Sequence, residues 1–325
     1  MATIVTTELA PTTVPTRYNL VRSVLRSPTA CVSGAVILLA VLIGAFAPLI
    51  ESIYGYSPTT VNSQLLDANG NPLGFSGGIT FSTDNASGHI HIMGVEPGTG
   101  RDLFMQLVYG IRTSLVISLS GALLAAVIGV VIGLVAGYAP KRTSAAVDWF
   151  IDIALAFPFL IFCLALIPVT NTYLADENGQ VSPFARGLTI IIIFGLFTWM
   201  TVARLVRAEV KSLSQREFVD AARVAGAGHG WILFRELLPN LWSPIIIQTS
   251  AAIPILITAE AALSFLGIGM VEPTPDLGRL LNNSIPYALS NPTYMLVPGI
   301  TLVSLVLAFN VFGDALRDAV DPHTR

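Results

Sequence analysis

Six stretches of this chain are each long and apolar enough to cross a lipid bilayer as a helix. A hydrocarbon layer about 30 Å thick needs roughly 20 predominantly apolar residues to span it. The runs 31–50, 114–138, 145–169, 187–205, 241–265 and 294–316 meet that requirement. Composition agrees: 53% of the residues are hydrophobic and only 11% are charged, against about 25% charged in an ordinary soluble domain. So few charges cannot clothe a surface that lies mostly in water. The expected fold class is an all-α membrane protein of about six transmembrane helices. Pro158, in the third run, and Pro244 and Pro254, in the fifth, are tolerable where neighbouring helices satisfy the freed carbonyls.

The distribution of Lys and Arg sets an orientation. With the N-terminus inside, the inner loops and tails hold Arg17, Arg22, Arg26, Lys141, Arg142, Arg204, Arg207, Lys211, Arg216, Arg223, Arg235, Arg317 and Arg325, which is 13 of the 17. Arg101, Arg112, Arg186 and Arg279 are outside. The bias predicts a multi-pass protein of the cell membrane with both termini cytoplasmic. The polar first thirty residues lack the early apolar core of a cleavable signal peptide, so the first apolar run is read as a retained span. The domain plan is a cytoplasmic tail over 1–30, a first span over 31–50, an extracytoplasmic insert over 51–111 and a five-helix core over 112–325. Short alternating pieces at 79–82 and 89–93 suggest small strands in the insert.

Several chemistries are disfavoured. The net charge of -3 comes with no basic stripe of the size nucleic acid requires. Cys31 and Cys163 lie in apolar runs without metal-ligand spacing and read as small packing residues. His89 and His91 would share one face of a strand. A metal or haem role is conceivable there, but two surface histidines without a carboxylate partner are more simply solvated. His229, in a Gly-rich turn, reads as a loop residue. No clustered Ser/His/Asp, HExxH or GxxxxGK[ST] pattern occurs, which argues against a membrane enzyme and places any ATP binding elsewhere. A stand-alone secondary transporter would favour repeat symmetry and broken helices near the midplane, and no sequence repeat is evident.

Acidic residues in or near the spans admit two readings each. Asp148 and Asp152, four apart, share a helix face near the cytoplasmic end, in a structural or a pathway role. Glu260 lies deeper, and an intramembrane carboxylate is a functional candidate; gating and hydrogen-bonded burial both remain open. Snorkelling to the headgroups accounts for Arg204 and Arg207.

The most informative loop is internal and covers 206–240. Ser214 and Glu217 have the spacing of a capping box, predicting a helix through Ala221, Ala222 and Ala225. Gly226 can then supply a positive φ at its end. A second short helix over 231–238 is expected to stop at Pro239. A short alanine-faced helix closed by glycine suits a knob seated in a partner's cleft; an amphipathic connector on the membrane surface fits equally well.

Asp220-Ala221-Ala222, three residues, Gly226, nine residues, then Glu236-Leu237-Leu238-Pro239 resembles the EAA loop of ABC-importer permeases, with Glu236 where that pattern has isoleucine. Four further stretches resemble the dipeptide/oligopeptide subfamily: Gly100-Arg101-Asp102 with Tyr109-Gly110-Ile111-Arg112; Asp152 with Leu155-Ala156-Phe157-Pro158; Glu260-Ala261-Ala262-Leu263-Ser264-Phe265-Leu266-Gly267; and the closing run from Asn310-Val311-Phe312-Gly313-Asp314 to Asp321-Pro322. The last is similar to the C-type permease. This resemblance implies a type I importer permease fold and coupling to the ATPase through Glu217, Asp220, Ala221, Ala222, Gly226, Leu238 and Pro239. Glu260 and Asp152 remain candidates for pathway or gating. It also implies a second, homologous B-type permease, two ATP-binding subunits that hold ATP and Mg, an extracytoplasmic peptide-binding lipoprotein, and no cofactor or metal in this chain. Peptides lead as substrate, with nickel chelates, glutathione-like peptides or haem behind.

Overall fold

A small-residue ladder organises the bundle. The structure is a computed structural model that describes residues 27–73 and 90–320. Its longest helix, α3 (Leu103–Tyr138; α1 and α2 precede it, below), carries Gly121, Ala125, Gly129, Gly133 and Gly137, each four residues from the next. Four-residue spacing puts them on one stripe, where small residues let two backbones approach closely. The stripe lies against α6 (Pro183–Leu213). A Cβ at Gly129 would sit 2.7 Å from the Trp199 carbonyl oxygen and 2.6 Å from Val202 Cβ; at Gly133 it would sit 2.8 Å from the Ala203 oxygen. Gly195 on α6 returns the favour to Leu124.

Around this seam the other helices assemble. α1 (Pro28–Ala45) starts at Ser27, whose hydroxyl accepts from Ala30 N, and is followed by the short α2 (Ala47–Tyr54). α3 begins inside the stretch read as the insert, capped by Asp102, which accepts from Met105 N at 2.7 Å. α8 (His229–Phe265) packs on α3 and on α10 (Pro292–Val320), and α10 packs on α1. Between α8, α10 and α3 sits α9 (Leu277–Ser284), close enough that a Cβ at Gly278 would collide with the Ala261 carbonyl.

Among the described residues, five helices (α1, α3, α6, α8 and α10) are long and apolar enough to cross a membrane. The sixth expected span is not one helix. It is a pair, α4 (Lys141–Ala156) and α5 (Phe159–Leu174), bent by 81° at Phe157 and Pro158. Proline disfavours α geometry in the residue before it and has no N–H to continue the ladder, so the chain turns.

Other local expectations are corrected. Pro239 does not stop a short helix. The chain runs on from His229 to Phe265 by widening to a π-helix over Ile232–Leu237 and tightening to a 3-10 turn over Leu238–Leu241, which accommodates the missing proline N–H. Ser214 is not an N-cap; its hydroxyl donates to the Lys211 carbonyl at the end of α6. No strand forms among the described residues. Isolated bridges such as Leu66–Pro72 and Val95–Asp102 occur instead, and 92–93 is a turn. The expected piece at 79–82, and His89, lie outside the described residues. Cys163 is buried in the apolar core while Cys31 is exposed on α1.

Candidate functional site

Two polar regions stand out, at opposite ends of α3. At its Tyr138 end lies α7 (Glu217–Val224). Val219 is the fully buried anchor of this helix, in a cluster with Val206 and Val210 of α6 and Ile232, Leu237 and Leu241 of α8. Its C-terminus is a Schellman closure, with Gly226 N donating to the Arg223 oxygen and Ala227 N to the Ala222 oxygen, both at 3.0 Å. Gly226 has φ +86, a conformation that would strain any other residue. Glu217 and Asp220 occupy the first turn, where the helix dipole favours carboxylates.

Ala222 is half-buried against the same cluster, and the opposite face of α7 points away from the chain. Ala221, Ala225 and Gly226 are exposed and Val224 is 90% exposed. A Cβ at Gly226, Gly228 or Gly230 would touch nothing within 4 Å. Asp220 pairs with Arg223 at 2.8 Å, and Arg223 lies 5.6 Å over the Tyr138 ring. Leu238 is half-buried in the Val219 cluster, and Pro239 is exposed. The seven residues expected at the coupling surface therefore occupy one end of the molecule, around a helix rooted in α6 and α8. His229 is exposed, with its ring edge-on to Tyr138.

Glu260 and Asp152 do not meet. Glu260 is fully buried on α8, with Ser264 Oγ donating to its Oε1 at 3.5 Å and no partner for Oε2. Its neighbour is Asp276, the N-cap of α9, which accepts from Arg279 N at 2.9 Å and whose carboxyl is pushed up to about 6, chiefly by burial. Asp152 is exposed on α4 in an ion pair with Arg204, and Asp148 pairs with Arg207. The two arginines thus have carboxylate partners across α4 and α6, where snorkelling alone had been expected.

At the Leu103 end, the insert is tied to the helices by a carboxylate that sequence reasoning passed over. Glu96 is 2% exposed and accepts from Tyr294 Oη at 2.5 Å, Thr99 Oγ1 at 2.5 Å, Gln106 Nε2 at 3.1 Å and Asn283 Nδ2 at 3.3 Å. Beside it, His91 is buried, not solvated. Its Nδ1 lies 2.7 Å from Asp102 Oδ2, which also accepts from Tyr54 Oη at 3.0 Å, and its ring packs on Tyr56. No group of three or more His, Cys, Asp or Glu among the described residues is arranged to hold a metal.

Residues 129–325 match the family model described as "Binding-protein-dependent transport system inner membrane component". The chain is 33% identical over 282 residues to the dipeptide transport system permease protein DppC of Alkalihalophilus pseudofirmus, covering 87% of this chain and 82% of that one. It is 34% identical to the oligopeptide transport system permease protein OppC of Salmonella typhimurium, over 77% of each. It is 32% identical to the glutathione transport system permease protein GsiD of Pectobacterium atrosepticum, over 71% of this chain and 72% of the relative. Among solved structures, an inward-facing MetNI methionine ABC transporter chain superposes with a TM-score of 0.53 at 22% identity, covering 67% of this chain and 98% of that chain. The bundle is therefore a type I ABC-importer permease fold.

Proposed function

The chain belongs to the family of binding-protein-dependent transport system inner membrane components, and on that premise we propose that it is the C-type permease subunit of an ATP-driven importer of di- and oligopeptides. The observation that carries this reading is the setting of α7: buried Val219 and half-buried Ala222 hold it to α6 and α8, while Ala221, Ala225 and Gly226 are exposed and a Cβ at Gly226 would meet nothing in the chain. A helix so placed converts movement of a partner's cleft into movement of two spanning helices. A second, homologous permease completes the translocation pathway, two partner ATPases hold ATP and Mg, and an extracytoplasmic lipoprotein delivers peptide. The α7 end and both termini are cytoplasmic, the orientation that the bias of 13 basic residues in 17 supports. Nucleotide drives the cycle by binding one state of the assembly better than the other. Asp220 and Glu217 orient α7 in the ATPase cleft; Leu238 and Pro239 form its root. The peptide assignment follows the dipeptide and oligopeptide relatives, and the glutathione relative keeps small modified peptides within the same class.

Affinity purification of the tagged chain from solubilised membranes tests the assembly. A second six-span permease and one or two ATPases should co-purify. A chain that purifies alone and still transports without ATP would contradict the reading.

A further inference from the structure

Beside α7 the chain forms an open cavity of about 940 Å³. Its walls are the end of α3 at Val135 and Tyr138, the start of α4 at Lys141, the last turns of α6 at Arg207 and Lys211, and Leu233 of α8. Four cationic side chains line it, Lys141, Arg207, Lys211 and Arg223, against one carboxylate, Asp148. Arg207 is partly consumed by Asp148 and by a 3.0 Å bond to Ser144 Oγ, and Arg223 by Asp220. Lys141 and Lys211 are exposed and make no ion pair among the described residues.

We propose that this cavity binds the phosphate headgroup of an anionic phospholipid between the ends of α3, α4 and α6. Three features point to a lipid. The first is depth: the cavity lies where the spanning helices α3 and α6 end, at the level a headgroup occupies. Basic pockets between spanning helices on the cytoplasmic side are the sites that recognise anionic lipids. The second is its two-sided lining. Val135, Ala145 and Leu233 offer an apolar wall, with Val135 57% exposed, and the cations lie alongside. A free anion needs only the cations; a lipid uses both walls. The third is an electrostatic mismatch. α4 opens with Lys141 and Arg142, no acidic residue in its first turn and no capping side chain on Pro140. Cations at a helix N-terminus are unfavourable, and an anion there relieves the conflict. Arg207, in hydrogen-bond contact with the α4 helix through Ser144, fixes the back of the site. The inference rests on the cytoplasmic orientation proposed for this end and not on the substrate, so it stands or falls separately from the peptide assignment.

The test is native mass spectrometry of the tagged full-length chain, with whatever subunits remain bound, equilibrated with phosphatidylglycerol or phosphatidylcholine in detergent micelles. Phosphatidylglycerol should be retained in preference to phosphatidylcholine. At roughly fivefold in affinity per lysine, the Lys141→Gln/Lys211→Gln variant should retain it about 25-fold less well. Lys141→Arg/Lys211→Arg, which keeps the charge, should bind as the unmutated chain does and so controls for folding. Equal retention by the glutamine variant would overturn the proposal. So would displacement of the lipid by millimolar inorganic phosphate, which would mark a free-anion site. Binding seen only after the ATPases are stripped away would also overturn it, by making the cavity a protein-docking face.

Discussion

Gly129 and Gly133 in the α3–α6 seam and Gly226, Gly228 and Gly230 beside α7 are all glycines of a helical membrane protein, yet their surroundings are opposite. In the seam, an added Cβ would run into backbone oxygens of Trp199 and Ala203; beside α7 it would meet nothing within 4 Å. The seam glycines are required by this chain's own packing. The loop glycines are not, apart from the positive φ of Gly226; on the proposed function, their open side is where the ATPase seats. A folding scaffold and a proposed contact surface then lie apart along one polypeptide.

Substitutions can break that separation, and the largest effect belongs to the seam. Gly129→Val places a branched side chain against an immovable carbonyl; overpacking of this kind costs about 1–3 kcal/mol or more. It should abolish the monodisperse peak of the purified protein in size-exclusion chromatography. A normal peak would mean that the seam can separate without loss of the fold.

The next effect lies at the Leu103 end of the scaffold. Glu96→Ala strands the Tyr294 hydroxyl and the Gln106 and Asn283 amides, whose shared acceptor it removes. Losing hydrogen bonds to a buried charged group costs about 3 kcal/mol, so the melting temperature in detergent should fall by several degrees. Glu96→Gln, which keeps an acceptor oxygen, should fall less.

Asp276 supplies a smaller and pH-dependent test. Burial pushes its carboxyl up to about 6, above the ordinary aspartate range. The folded state therefore holds this proton more tightly than the unfolded one, and stability is lost as pH rises from about 4 through 6. Asp276→Asn can still cap α9 and should melt with a flatter pH profile over that range. An unchanged profile would remove Asp276 as its source. The smallest effect is expected at Gly228, where Gly228→Ala should shift the melting temperature by no more than an ordinary surface change, within about 0.5 kcal/mol.

Much of this architecture is legible in the sequence because it is written in local patterns. Apolar runs of bilayer length located the spans, and Asp220-Ala221-Ala222 with Gly226 marked α7 and its left-handed closure. The seam has a local signature too, since Gly129, Gly133 and Gly137 repeat at four-residue spacing inside an apolar run, a known signal of close helix contact. Other features carry no local signature. Glu96 and Tyr294 are 198 residues apart, and nothing near either residue announces the bond. The Glu260–Asp276 pair likewise depends on how α9 settles on α8. The capping box at Ser214 and Glu217 misled because the same hydroxyl satisfies the end of α6, and side-chain oxygens serve either terminus. Pro158 and Pro239 show the limit of a residue rule. One turns the chain by 81°; the other is absorbed by a π-helical turn, and what decides is whether the neighbouring turns can widen.

The central claim is that α7 couples the spanning helices to an ATPase through a surface this chain leaves open. The most direct measurement is ATP-dependent uptake of a labelled dipeptide by proteoliposomes holding the complex with Gly226→Val, normalised to the amount of protein inserted. A left-handed conformation costs a side-chain-bearing residue about 1–2 kcal/mol, enough to displace the closing turn of α7. The account predicts normal insertion, a melting temperature lowered by no more than this strain accounts for, and uptake reduced about tenfold or more. Insertion and uptake both at the unmutated level would contradict it.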